Sequence, residues 1–206
     1  MEWLIGLGLL GALVVVGYLV WANVPIFWRA WGSSLTNDFN ECQGATLVQR
    51  FEPGTLNRDG NQVRLILRAS STQDAWIESI WISQADPAGD PYDSAADLKQ
   101  FYGKARIRAN TRLLLPDTGP EVKYNLFANN TLLIAVNFER GAPSGVRYTQ
   151  PTGPNLTAYF LPPGAGGGTE AGRRDRSPGY QRYDNWIFLI EGIALTDDGQ
   201  LRHKEG

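Results

Sequence analysis

Residues 3–22 read WLIGLGLLGALVVVGYLVWA, twenty residues without a charge. As an α-helix, rising 1.5 Å per residue, the run reaches about 30 Å, the thickness of a bilayer's hydrocarbon core. No other feature constrains the chain as tightly, because an uncharged run of this length has to be taken out of water. Trp3 and Trp21 bracket it, and Tyr18 lies one turn before its end. Amphipathic rings of this kind settle at headgroup level. The rival reading is a cleaved leader. A leader opens with a basic segment, whereas the only charged side chain ahead of this run is Glu2, and the run is long for a leader's core. Residues 1–24 are therefore expected to form a single transmembrane anchor.

Within the anchor, Gly6 and Gly17 stand three helical turns apart and share a face, and Gly8 and Ala12 form a small-xxx-small pair. Small residues at helical spacing let a second helix approach closely, so other transmembrane helices are expected partners. Pro25 stops the helix. Residues 25–40 then read as a linker whose aromatic stretch Ile26-Phe27-Trp28-Arg29-Ala30-Trp31 lies at the membrane surface, with Trp28 and Trp31 joining Trp3 and Trp21 at the interface. The alternative makes this stretch an edge of the folded domain, since Trp and Phe also fill cores. The flanks hold too few charges for the positive-inside rule to set an orientation. Scarce cysteine and a β-rich body on a stalk point to a domain outside the cytoplasm.

Residues 41–199 carry strand signals separated by Gly and Pro. The candidate strands are 46–51, 62–69, 76–84, 105–115, 122–127, 131–138, 146–150, 156–161 and 186–195. Over 62–69, Val63, Leu65 and Leu67 alternate with Arg64, Ile66 and Arg68. Asp59-Gly60 is a hairpin-type dipeptide, and Asn129-Asn130 reads as a tight turn. The pattern predicts a mainly β chain, an antiparallel sandwich or barrel-like domain. One short helix is expected after Ser94, with Asp97 completing a capping box, Leu98, Phe101 and Tyr102 on one face, and Gly103 at the end. Residues 162–181, PPGAGGGTEAGRRDRSPGYQ, read as a long mobile loop, and residues 200–206 as a polar tail.

The chemistry-bearing residues are few. A single cysteine, Cys42, excludes an intramolecular disulfide and a multi-thiolate metal site. The single histidine, His203, lies in the polar tail. With net charge -2 and no recognisable motif, nucleic acid is not an expected partner. Asp86, Asp90 and Asp93 form an oxygen-rich segment of the kind that holds Ca²⁺, although acids in Asx and Pro turns are the simpler account. Arg106, Arg108 and Arg112 are expected on one strand face, and Arg173, Arg174 and Arg176 in the Gly-rich loop. Their planar guanidinium forks suit anionic lipid headgroups or an acidic protein surface. Leu113-Leu114-Leu115 followed by Asp117-Thr118-Gly119 resembles the catalytic loop of aspartic proteases, and that resemblance implies Asp117 as one of two paired carboxylates. Pro116 and Pro120 depart from the pattern, and Pro-Asp-x-Gly is an ordinary β-turn.

Catalytic residue types being scarce and partner-facing features plentiful, the expected function is non-enzymatic. The chain reads as a single-pass structural or accessory subunit of a larger membrane assembly, with the lipid bilayer, other membrane helices and protein subunits as partners and no cofactor. An extracytoplasmic ligand- or Ca²⁺-binding module is the alternative, and a hydrolase using Asp117 the third reading.

Overall fold

The computed structural model describes residues 27–116, 122–150 and 155–196. The anchor residues Gly6, Gly8, Ala12 and Gly17, the interface residues Trp3 and Trp21, and Asp117 lie outside the described residues. Among the described residues no helix is long and apolar enough to cross a membrane.

The described chain is strand after strand. These are β1 (Trp28–Gly32), β2 (Asn37–Phe39), β3 (Thr46–Phe51), β4 (Gly60–Arg68), β5 (Ala75–Gln84), β6 (Lys99–Tyr102), β7 (Ala105–Ile107) and β8 (Arg112–Leu115). Then come β9 (Val122–Leu126), β10 (Leu132–Phe138), β11 (Val146–Thr149), β12 (Leu156–Leu161), β13 (Gln181–Asp184), β14 (Ile187–Phe188) and β15 (Ile190–Thr196). Every pairing is antiparallel. One sheet runs β1-β15-β4-β8, with β9 also on β4. A second runs β13-β12-β3-β10-β5-β6, with β7 also on β5. A small third sheet runs β14-β11-β2.

The architecture is sandwich-like. Leu65, Leu67, Ile193 and Leu195 of the first sheet share one buried core with Leu47, Phe51, Ile80, Ile82, Ile134 and Phe160 of the second. Trp31 ties the edge strand β1 into that core, its ring meeting Phe51 edge-on at 5.1 Å. Gln49, fully buried, spans the inside by donating to the Trp186 carbonyl at 2.9 Å and accepting from the Phe188 amide at 3.2 Å. A buried amide so satisfied holds β3 and the β14 segment in register.

Four expectations change. Within the aromatic stretch expected as an interfacial linker, Trp28–Gly32 form β1, because Trp31 packs its ring against the core and the strand completes a ladder with β15. The expected helix after Ser94 is absent: the Ser94 hydroxyl is taken by Ser83 at 2.7 Å and by Arg176 at 2.8 Å, so it cannot cap, and residues 99–102 extend as β6. The expected strand 105–115 breaks at Arg108–Thr111, where Asn110 takes φ 58, a conformation Asn tolerates. Its halves β7 and β8 pair in different sheets. Asp59-Gly60 closes no hairpin; β3 and β4 lie in different sheets, and Asp59 accepts the Ala128 amide at 2.7 Å.

Residues 162–181, expected as a mobile loop, fold back over the second sheet. Ala171 enters a separate outer core with Val48, Leu133, Ala135 and Tyr159, flanked by Trp81, Tyr92 and Tyr180. Gly172 allows this approach, since a Cβ there would stand 2.8 Å from Trp81 Cζ2. The chain itself, rather than a partner, supplies the contacts.

Candidate interaction face

Alternation in β4 sends Val63, Leu65 and Leu67 inward and leaves Arg64, Ile66 and Arg68 on the outside of the first sheet. Register then lines up the outward residues of the neighbours. Arg68 stands opposite Arg112, and Ile66 opposite both Leu114 and Gly192. Arg64 stands opposite Ala194, which in turn faces Arg29 of β1. The five strands of this sheet carry five basic residues and one acidic residue, Glu191.

Glu191 sits at a bulge between Ile190 and Gly192 and is 6% exposed. Arg68 donates to its Oε1 at 3.1 Å and Arg112 Nη2 to the same oxygen at 2.8 Å, while Arg112 Nε closes on Oε2. Burial alone would raise this carboxyl's pKa, but the hydrogen bonds and charges of Arg112 and Arg68 outweigh burial and hold it below its ordinary value. One carboxylate is thus shared by two guanidiniums, and the pair keeps a net positive charge. Arg29 lies over Gly32, where any Cβ would overlap its guanidinium. Arg64 stacks on the Phe27 ring at 3.9 Å and Arg58 on the Trp28 ring at 5.5 Å. A shallow cleft of about 380 Å³ among Phe27, Arg29, Ile66, Arg112 and Glu191 opens on this face. The two large apolar side chains most exposed among the described residues are Trp28 (56%) and Leu114 (42%). Trp28 lies at the sheet's β1 edge and Leu114 on the open face.

The arginines singled out from the sequence separate. Arg106 is occupied by Asp74 at 2.6 Å and stacks on Trp76 at 4.3 Å. Arg108 opens the turn that ends β7, and only Arg112 reaches the open face. Arg173 pairs with Glu170 at 3.2 Å, and the Arg174 carbonyl accepts the Ser94 amide. Arg176 is 5% exposed and donates to the carbonyls of Glu170, Ala171 and Tyr92 and to Ser94 Oγ. Burial pulls its pKa below the ordinary guanidinium value. It is a structural bolt for the loop. Arg29, Arg64 and Arg68, which share the open face, were visible as cations in the sequence. Only the register shows that they converge.

Two of the three aspartates, Asp86 and Asp93, turn to backbone amides. Asp86 accepts from Ala88, and Asp93 accepts from Asp90 through one oxygen and from Arg176 through the other. Asp90 accepts the Tyr92 hydroxyl. Among the described residues no three His, Cys, Asp or Glu side chains are grouped as a metal ion requires. A polar cleft of about 710 Å³ lies nearby, lined by Asp59, Asp97, Asn125, Asn129 and Asn130 among others. Asp97 anchors it, accepting the Tyr124 hydroxyl at 2.6 Å and the Gln84 amide at 3.0 Å. Cys42 is buried, and burial drives its thiol pKa well up, which suppresses the thiolate.

Fold and surface together define a class: an antiparallel, sandwich-like β domain with one sheet roofed by its own loop and the other, among the described residues, without such a roof and carrying outward arginines. No known family model and no curated protein matches the sequence.

Proposed function

We propose that the chain is a single-pass, membrane-tethered accessory subunit, non-catalytic, whose β domain is held close against the bilayer outside the cytoplasm and serves as a docking piece in a larger membrane assembly. One observation carries this reading. The uncharged run ends at Ala22, and β1, paired along β15 and pinned by Trp31 on Phe51, begins at Trp28. Five residues separate the two. A domain so joined moves with its anchor, as a subunit seated in an assembly must.

Fractionation of native membranes tests it. The full chain is expected in the pellet after alkaline carbonate washing and, after mild detergent extraction, in a fixed ratio with other subunits. Release by carbonate would count against the tether, and a clean monomer against the assembly role.

A second reading, an extracytoplasmic module for a small polar ligand, is favoured by the 710 Å³ cleft and its amide side chains Asn125, Asn129 and Asn130. Paired donors and acceptors of this kind match neutral hydroxylated ligands. A rise in melting temperature with a neutral oligosaccharide, lost in Asn125→Ala, would favour this reading over the first.

A further inference from the structure

We propose that the end of β5 and the turn between β9 and β10 form one continuous groove for a neutral oligosaccharide chain of several sugar units. The proposal rests on the ligand-binding reading above. It extends that reading from one cleft to two, and from a small ligand to an elongated one.

Two clefts meet here. The first, of about 710 Å³, is the one that Asp97 anchors. The second, of about 480 Å³, is lined by Arg50, Pro53, Asp86, Pro87 and Pro91 among others. Gln84, Asn129 and Asn130 line both, so the ridge between the clefts is made of amide side chains. A volume of roughly 300–1,000 Å³ takes a drug-sized ligand, and each cleft falls in that range by itself. A ligand that fills both is therefore longer than one such unit and lies across the ridge. The walls belong to residues 50–59, 84–97 and 123–131, all of them described.

The ridge is fixed before any ligand arrives. Asn130 Nδ2 donates to Gln84 Oε1 at 3.1 Å, the Gln84 backbone amide donates to Asp97 at 3.0 Å, and the Ala85 amide donates to the Thr131 carbonyl at 3.1 Å. A groove held in this way loses little freedom on binding. Those bonds still leave hydrogen-bonding groups over. The Gln84 NH₂ group, the Asn130 side-chain oxygen and the side-chain amides of Asn125 and Asn129 bond to no other described residue. Asp59 gives one bond to the Ala128 amide, where a carboxylate can accept about four. Donors set beside acceptors match neighbouring hydroxyl groups, each of which both donates and accepts.

The remaining lining narrows the class. Phe127 contributes its ring to the first cleft, and Pro53, Pro87 and Pro91 theirs to the second. A sugar ring has an apolar C–H face as well as a hydroxyl edge, so alternating rings and amides suit it. Asp59, Asp86 and Asp97 line the clefts beside Arg50 and Lys123, and Arg50 is clasped by Glu52 at 2.6 Å. No cationic excess therefore favours an anionic ligand. A peptide that adds itself to a sheet needs a free strand edge. Here the rim's amides are spent within the chain, Ala85 on Thr131, Asn130 on Phe127 and Asp86 on Asp93, so a ligand meets side chains instead.

The test is calorimetric titration of the full chain in phosphatidylcholine nanodiscs, where no sugar-headed detergent competes. The probes are mono-, di-, tetra- and hexasaccharides of β-1,4-linked glucose, α-1,4-linked glucose and β-1,4-linked N-acetylglucosamine. In at least one series the affinity is expected to rise about tenfold or more from di- to tetrasaccharide and then to level off. Asn125→Ala, in the first cleft, is expected to weaken every length about five- to tenfold. Pro87→Ala, in the second, should weaken the tetrasaccharide and spare the disaccharide. The length series needs no variant, so a misfolded variant leaves the test intact. Equal affinity for di- and tetrasaccharide, lost in Asn125→Ala, would overturn the continuous groove while the single-cleft reading stood. A gain with length that a folded Pro87→Ala keeps in full would overturn the second cleft's part in it. Binding of decaproline in place of the sugars would overturn the proposal in favour of a peptide groove. No binding by any probe would overturn the proposal and the ligand-binding reading together.

Discussion

The two outer faces of the sandwich have opposite fates, and β10 and β4 show why. In β10, Leu132–Phe138, every residue is buried: Leu132, Ile134 and Val136 face the main core, while Leu133 and Ala135 face the loop that covers the second sheet. In β4 the inward Val63, Leu65 and Leu67 alternate with Arg64, Ile66 and Arg68, and among the described residues no second layer lies over the half-buried outward set. A strand buried on both faces reads as a continuous apolar run, and a strand buried on one face reads with period two. Strand periodicity thus records more than strand identity: it records whether a second layer lies over the sheet. The covered face is built for stability, and the open one retains cations and exposed apolar groups that contribute little to it.

If the roof is structural, its removal should cost the most. Arg176→Ala leaves the carbonyls of Glu170, Ala171 and Tyr92 and the Ser94 hydroxyl without their donor in a buried site. A loss of about 3–5 kcal/mol is expected, read by chemical denaturation of the full chain in mild detergent. A loss below 1 kcal/mol would mean that the loop contributes nothing to the fold, and the contrast between the faces would fail. Gly172→Ala probes the same roof more gently. The added methyl meets the Trp81 ring, and overpacking of this kind costs about 1–3 kcal/mol. A shift in Trp81 fluorescence should accompany it.

The strands were mostly legible because each of the two faces left its own period in the sequence. The sheet assignments were not. Asp59-Gly60 and Asn129-Asn130 have turn chemistry, yet each connects strands of different sheets, and local sequence carries no mark of which ladder a strand joins. The helix expected after Ser94 failed through tertiary competition: the capping hydroxyl is bonded from Ser83 and Arg176, residues 11 and 82 positions away. Arg176 looked like a solvated loop cation because its neighbours Arg173 and Arg174 are exposed and its own partners are mostly carbonyls, which any sequence offers. The open face escaped notice for a related reason. Arg29, Arg64, Arg68 and Arg112 lie on three strands, and only the pairing of β1 with β15, β15 with β4 and β4 with β8 brings them together.

On the open face the expected effects are smaller and depend on pH. Glu191→Gln removes the charge shared by Arg68 and Arg112, a loss of about 1–2 kcal/mol at neutral pH. The native carboxyl's pKa lies below its ordinary 4.5 in the folded chain, so its ionised form stabilises the fold above that value. That contribution declines as the pH falls from about 4.5 through the folded pKa. The stability difference between native chain and variant should therefore narrow in the same window. A difference that stays constant from pH 6 to pH 3 would show that the carboxylate's charge plays no part.

The smallest effect distinguishes a surface kept for binding from one kept for folding. Arg64→Gln removes a guanidinium stacked at 3.9 Å on Phe27 at the rim of the domain. A cation–π contact contributes about 0.5–1 kcal/mol at an exposed site and about 2 when desolvated, and Arg64 is half-buried. Arg64→Gln should therefore cost at most about 2 kcal/mol in denaturation, less than Arg176→Ala, while its affinity for anionic vesicles falls. Were the order reversed, with stability lost and lipid association kept, Arg64 would belong with Arg176 as a folding element. The division of labour between the two faces would then have to be redrawn with Arg64 on the structural side.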